Sequence, residues 1–313
     1  MSSRQIIALG TASQAPTRYR SHNSLAVRWD DLLLLVDPGE ATQRQCILAG
    51  IAVARVDAVC VTHFHGDHCL GLPGVIQRRA LDGRSASPPL PELPIFHPAE
   101  GSEYLERLRT ASIFHDTSRA VARPVDGDGP LADLGHGVVL SARRLDHRVP
   151  TVGYRIDEPP RRRFIPEALA QRGISGPDVG QLAREGRLAT PTGTVSVDQV
   201  STVQPGQSLA VVMDTRRCAG ARALADGVDL LVCEATFLER HATLAQDFGH
   251  LTAGQAARLA RDAGARRLVL THFSARYPEV DGFVTEASRW HDDVVAATDL
   301  AVIDVPPAPG PRR

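Results

Sequence analysis

The chain has 313 residues, 43% hydrophobic and 23% charged, an ordinary globular composition long enough to bury a full core. Its 35 basic residues are all arginine, with no lysine, against 36 acidic ones, for a formal net charge of -1. That balance excludes a wholly basic nucleic-acid binder and confines any nucleic-acid site to a local patch. Aromatics, at 4%, are too few for an extended stacking platform for single strands, and five scattered cysteines without a CxxC pair argue against a disulfide framework or a cysteine zinc site.

In chain order, aliphatic runs bounded by turn residues predict strands over 5–9, 24–29 and 32–36, a helix over 41–49 and a strand over 58–62. Helices are expected over 71–81 and 101–110, separated by the proline-rich connector 85–94 (SASPPLPELP). Strands follow at 137–145 and 152–156, then a helix over 163–172. The second half reads as strand 209–213, helix 219–225, strand 230–233, helix 253–265, strand 267–271, helix 284–297 and strand 301–305. Thr252, with Gln255 three residues on, forms a capping-box pattern before its helix. Strands interleaved with helices early and late indicate an α/β sandwich rather than an all-parallel doubly wound sheet. The glycine- and proline-rich stretch 157–200 reads as an inserted flexible arm without a core of its own. Counted from Arg155 to Arg187, the chain there carries seven arginines against five acidic residues. The first twenty residues lack a signal-peptide pattern and the longest apolar run, 32–36, is too short to span a membrane, so the cytoplasm is the expected location.

The segment 62–68 (THFHGDH) offers His63, His65, Asp67 and His68 directly after a strand. His63 and His65, two apart in extended chain, point to one side. Imidazole and carboxylate without thiolate suit Zn²⁺, with Mn²⁺ or Fe²⁺ as substitutes, and the ligands suffice for two ions. His147, Asp214 and His272 each follow a predicted strand and are the candidates to complete the site. Two ions about 3.5–4 Å apart activate a water and clamp a phosphoryl centre. The same site also serves esters, amides and thioesters. Asp37 is expected to tie the turn beneath the site and Cys69 to pack. Arg18 and Arg20 read as surface arginines, and His22, His97, His115, His136, His241 and His291 as structural or surface.

With these residues in place the sequence resembles the metallo-β-lactamase superfamily, and within it the ribonuclease Z family of tRNA 3′-processing endonucleases. The narrower resemblance rests on strings along nearly the whole chain: 9–18 (LGTASQAPTR), 37–45 (DPGEATQRQ), 62–74 (THFHGDHCLGLPG), 173–178 (GISGPD), 212–216 (VMDTR), 234–237 (EATF), 249–252 (GHLT) and 271–277 (THFSARY). It implies a single αββα metallo-β-lactamase domain over 1–313, with 157–200 as a protruding tRNA-binding exosite. It also implies two zinc ions per subunit, one on His63, His65, His147 and Asp214, the other on Asp67, His68, His272 and Asp214. Asp67 is the implied base, and Glu234 with His250 the relay to the leaving 3′ oxygen. Arg276, Arg161, Arg162, Arg163, Gly176 and Pro177 are implied to meet the substrate. The implied reaction is metal-hydroxide attack on precursor tRNA, giving a tRNA 3′-hydroxyl and a 5′-phosphorylated trailer. A homodimer is implied, with neither DNA nor a membrane as partner. Two positions depart from the family: Cys233 where it commonly has His, which bears on the relay, and Ala41 where it commonly has Gly. The alternative is a small-molecule phosphodiesterase or esterase-like metallo-hydrolase of the same fold, which has no use for a basic arm. A non-catalytic RNA-binding scaffold would not need every ligand position filled.

Overall fold

In the computed structural model, which describes residues 4–308, the five aliphatic residues of Leu32–Val36 show how the larger unit is layered. Leu34 and Val36 face a core shared between two sheets, while Leu33 and Leu35 face helices on the outside. A strand covered on both faces is apolar throughout rather than alternating. This unit comprises residues up to Ile156 and again Ser208–Pro306; Asp157–Gln207 forms a second compact unit.

Each sheet of the larger unit has seven strands. In the first, Val302–Asp304, Arg4–Gly10, Ser24–Trp29 and Leu32–Val36 are antiparallel neighbours, after which Ala58–Cys60, Leu93–Pro98 and Ala120–Val125 add in parallel. In the second, Ser208–Val212, Leu230–Glu234, Arg267–Thr271 and Val294–Ala296 are parallel, with Val152–Asp157, Val139–Arg144 and Gly129–Asp133 on the other side. Helices Thr42–Leu48 and Leu72–Gly83 supply the apolar layer outside the first sheet, and Ala219–Ala225, Ala253–Ala263 and Asp281–Ala287 that outside the second. The result is the expected αββα sandwich. The Thr252 capping box forms, with Gln255 N–H donating to Thr252 Oγ1 at 3.1 Å and Thr252 N–H to Gln255 Oε1 at 2.9 Å.

Three local expectations are corrected. The proline-rich connector runs into a strand, Leu93–Pro98, whose ladder to Ala58–Cys60 uses only Ile95 and Phe96, so Pro94 and Pro98 flank it without interrupting it. The helix expected over 284–297 is Asp281–Ala287, and Val294–Ala296 pairs with Arg267–Thr271 instead: the β-branched pair Val294 and Val295 is claimed by the sheet. The helix expected over 163–172 starts only at Pro166, because Arg161–Phe164 is a strand paired with Ser201–Gln204.

Within the smaller unit, Ile174, Leu182, Leu188, Val195, Val197 and Val200 are buried together, so it has a small core where none was expected. Gly176, at φ 54° and ψ -128°, caps the helix Pro177–Glu185 in a conformation open essentially to glycine, and Pro177 fills the first turn.

Candidate metal centre

The site is built at strand ends of both sheets. Chain leaving Ala58–Cys60 carries His63 and His65 in extended form, then Asp67 and His68 on the short helix Gly66–Cys69. From the second sheet come His147 after Val139–Arg144, Asp214 after Ser208–Val212 and His272 after Arg267–Thr271. Asp37, Asp214 and His272 hold φ of 49°, 40° and 63°. Such backbone costs a non-glycine residue about 1–3 kcal/mol and persists where its surroundings fix it.

Seven side chains converge in two sets. In one, His63 Nε2 is 3.0 Å from His65 Nδ1, His147 Nε2 is 3.3 Å from His65 Nδ1, and Asp214 Oδ2 lies 3.5 and 3.6 Å from His63 and His147. In the other, His68 Nε2 and His272 Nε2 are 3.1 Å apart, Asp67 Oδ2 lies 3.5 and 3.3 Å from them, and Asp214 Oδ1 also 3.5 and 3.3 Å. Ligands about 2.0–2.1 Å from a tetrahedral zinc stand roughly 3.3 Å from one another, and both sets match that edge. Asp214 gives one oxygen to each set, and its buried Oδ1 has no hydrogen-bond partner. A buried carboxylate oxygen without a donor calls for a cation.

Electrostatics agree. Burial holds the His63, His65 and His147 imidazoles below their usual range, which favours the neutral, ligating form. Burial also opposes charge on His68, yet Asp214, Asp67 and Asp37 together raise it well above the usual value. A divalent cation can answer those carboxylates in place of that proton. The Asp214 carboxyl, against the effect of burial, is held well below the usual range by surrounding imidazoles, His272 first.

The far sides of the rings are fixed. Asp37 accepts from His68 Nδ1 at 2.8 Å and from Thr62 N–H and Oγ1–H, both at 2.7 Å, which is the tie expected of it. His147 Nδ1 meets the Gly249 carbonyl at 2.9 Å, and His272 Nδ1 meets Thr236 Oγ1 at 2.9 Å. Gln14 N–H donates to Asp67 Oδ2 at 2.7 Å. Such contacts set tautomer and ring orientation.

His250 Nδ1 sits 3.1 Å from Glu234 Oε1 and 3.9 Å from Asp214 Oδ2. Glu234 is wholly buried and accepts from Thr215 N–H and Thr236 Oγ1–H, each at 2.7 Å. Burial pulls the His250 pKa down, but Glu234 and then Asp214 outweigh it and bring it up to about 9. Cys233 does not face this pair: it packs with the apolar layer beneath the outer helices, on the opposite side of its strand from Glu234.

A cleft of about 490 Å³ lies over the ligand sets, lined by His65, Asp67, His147, Asp214 and His250 and, at its rim, by exposed Arg276. Gly176 and Pro177 sit at the helix start already described, in the unit that carries Arg161, Arg162 and Arg163. There Arg161 pairs with Glu158 at 2.8 Å and Arg162 with Asp198 at 2.6 Å. One residue is placed differently from its expectation. Arg20 is buried and donates to the Tyr277 carbonyl, tying its loop to the segment that carries Arg276. His22 lines the cleft, buried, with neither ring nitrogen hydrogen-bonded; no spacing in the sequence marks it.

The metallo-beta-lactamase superfamily profile matches residues 17–272. A protein named ribonuclease Z from Streptomyces coelicolor is 52% identical over 308 residues, 98% of this chain and 99% of that one. Another so named, from Chlamydia trachomatis, is 41% identical over 309 residues, 99% and 100% of the two chains. The crystal structure of the short form of human tRNase Z superposes with a TM-score of 0.70 at 23% identity, over 97% of this chain and 100% of that one, a likeness of fold. The chain belongs to the metallo-β-lactamase superfamily and, within it, to the ribonuclease Z family of metal-dependent endoribonucleases.

Proposed function

We propose that this chain removes the 3′ trailer from precursor tRNA, leaving a 3′-hydroxyl on the tRNA and a 5′-phosphate on the trailer, with two zinc ions per subunit. What supports it is two groups of ligand-type side chains, both within reach of Asp214, beside a carboxylate-paired imidazole in one cleft. His63, His65, His147 and Asp214 hold one ion, and Asp67, His68, His272 and Asp214 the other. Zinc, when bound there, polarises the phosphoryl oxygen and makes water acidic enough to attack at neutral pH. Asp67 orients the attacking water and takes its proton. A 3′-hydroxyl is a poor leaving group, so it needs a proton as it departs. His250 gives that proton, with Glu234 holding Nδ1 and stabilising the imidazolium. Arg276 meets an RNA phosphate with its planar fork.

In the same reading, Asp157–Gln207 is the tRNA exosite: Arg161, Arg162, Arg163 and the Gly176–Pro177 turn contact the RNA backbone, giving salt-sensitive, sequence-independent affinity. The enzyme works as a cytoplasmic homodimer in which each arm serves the other subunit's cleft. The test is end-mapped cleavage of a labelled precursor tRNA with a 3′ trailer, with chelator and zinc add-back. A single zinc-restored cut after the discriminator base supports the reading; an uncut precursor, from protein carrying two metals, refutes it.

A further inference from the structure

Beside the cleft lies a second, smaller hollow of about 220 Å³, lined by Phe64, Tyr104, Gly101, Val149 and Pro150, by Glu100, whose carboxylate pairs with Arg144 at 3.1 Å, and by His65, which also lines the cleft. Phe64 meets buried His97 edge-on at 5.8 Å and Tyr104 at 5.8 Å, tilted by 32°. The Phe64 ring covers the place where a side chain on residue 101 would go: a Cβ there would stand 2.1 Å from Cε2. Tyr104 is half exposed, and the guanidinium of Arg107, which also pairs with Glu103, lies 5.6 Å from its ring. Phe64 packs against the apolar layer outside the first sheet, which holds its ring, whereas Tyr104 is left open beside the histidine that the hollow shares with the cleft.

We propose that this hollow is a nucleobase subsite: the base of a nucleotide flanking the scissile phosphate leaves the stack and lies on Tyr104 and Phe64, against Val149 and Pro150. The inference rests on the endoribonuclease reading above. The shared His65 sets the distance, since a base in the hollow belongs to a nucleotide adjoining a phosphate held over the ligand sets. Stacking on a π-face is tolerant of sequence, which suits an enzyme that meets many different flanking bases. The hollow admits one base, so the scarcity of aromatics forbids an extended platform but not this single contact.

The test measures kcat/KM on three precursor tRNAs: intact, abasic at the first trailer nucleotide, and abasic at the discriminator. Tyr104→Ala lowers kcat/KM on the intact precursor roughly tenfold, the scale of one lost base–aromatic stack. The loss vanishes on one of the two abasic substrates, which identifies the side of the cut that the base comes from. Tyr104→Phe and Tyr104→Trp keep the ring and retain activity, whereas Gly101→Ala displaces Phe64 and repeats the selective loss. Wild-type rates in Tyr104→Ala on the intact precursor overturn the subsite alone. So does a loss persisting on both abasic substrates in Tyr104→Ala and Gly101→Ala alike. A wild-type enzyme that leaves the intact precursor uncut overturns the endoribonuclease reading and the subsite with it.

Discussion

Ala41 holds φ +69° just ahead of helix Thr42–Leu48, a left-handed conformation that costs an L-residue roughly 1–2 kcal/mol and a glycine nothing. This accounts for the glycine common at that place in the family. Because Ala41 is exposed, Ala41→Gly forfeits no packing and is expected to stabilise the protein by about 1 kcal/mol, seen as a rise of a few degrees in Tm. Asp37 is a different case, since it orients His68 without being a ligand. Asp37→Ala should weaken zinc binding about 10- to 100-fold in a competitive chelator titration, while the fold's circular dichroism is kept. The Glu234–His250 pair gives a pH prediction. His250 is raised above its ordinary value, so it stays protonated through neutrality and loses its proton as pH rises through about 9. Cleavage should therefore fall on that alkaline limb. In Glu234→Gln the limb should move to lower pH and the rate drop by about 100-fold or more, because the partner that raises His250 is gone. An unmoved limb would separate His250 from the proton transfer.

At the scale of elements, the run 62–68 and the strand ends before His147, Asp214 and His272 were legible because ligand chemistry concentrates unusual residues at predictable breaks. The capping box at Thr252 was legible for the same local reason. What was hidden is set by tertiary partners. The strands Ala120–Val125 and Gly129–Asp133 are half exposed and irregular in pattern, and exist because a neighbouring strand offers a ladder. Val294–Ala296 lies in a stretch of helical spacing, and the edge of the second sheet decides otherwise. His22 and the Phe64–Tyr104 wall depend on side chains distant in sequence meeting across loops, which periodicity does not record. Gly101 carries a trace of that meeting, though as a bare glycine it is indistinguishable from a turn.

At the scale of the molecule, a chain of net charge -1 can meet a polyanion only through local patches, and in the proposed reading Arg161, Arg162 and Arg163 form one on a second unit, Asp157–Gln207, whose six arginines are matched by six acidic residues. Replacing Arg161, Arg162 and Arg163 with alanine should weaken precursor binding and lower the slope of log affinity against log salt by one to three. The lower end follows from the Glu158 and Asp198 partners that already offset Arg161 and Arg162. An unaltered slope in a binding titration would remove these arginines from the interface. The ligand sets have a mechanical meaning as well. Four of the seven proposed ligands hang from the first sheet and three from the second, and Asp214 lies within reach of both groups. Ions bound there would act as a rivet across the seam between the sheets, free energy of binding being also free energy of closure. Stripping the ions should raise amide hydrogen exchange where Ala58–Cys60, Ser208–Val212 and Arg267–Thr271 end, and leave the opposite ends of the same strands protected.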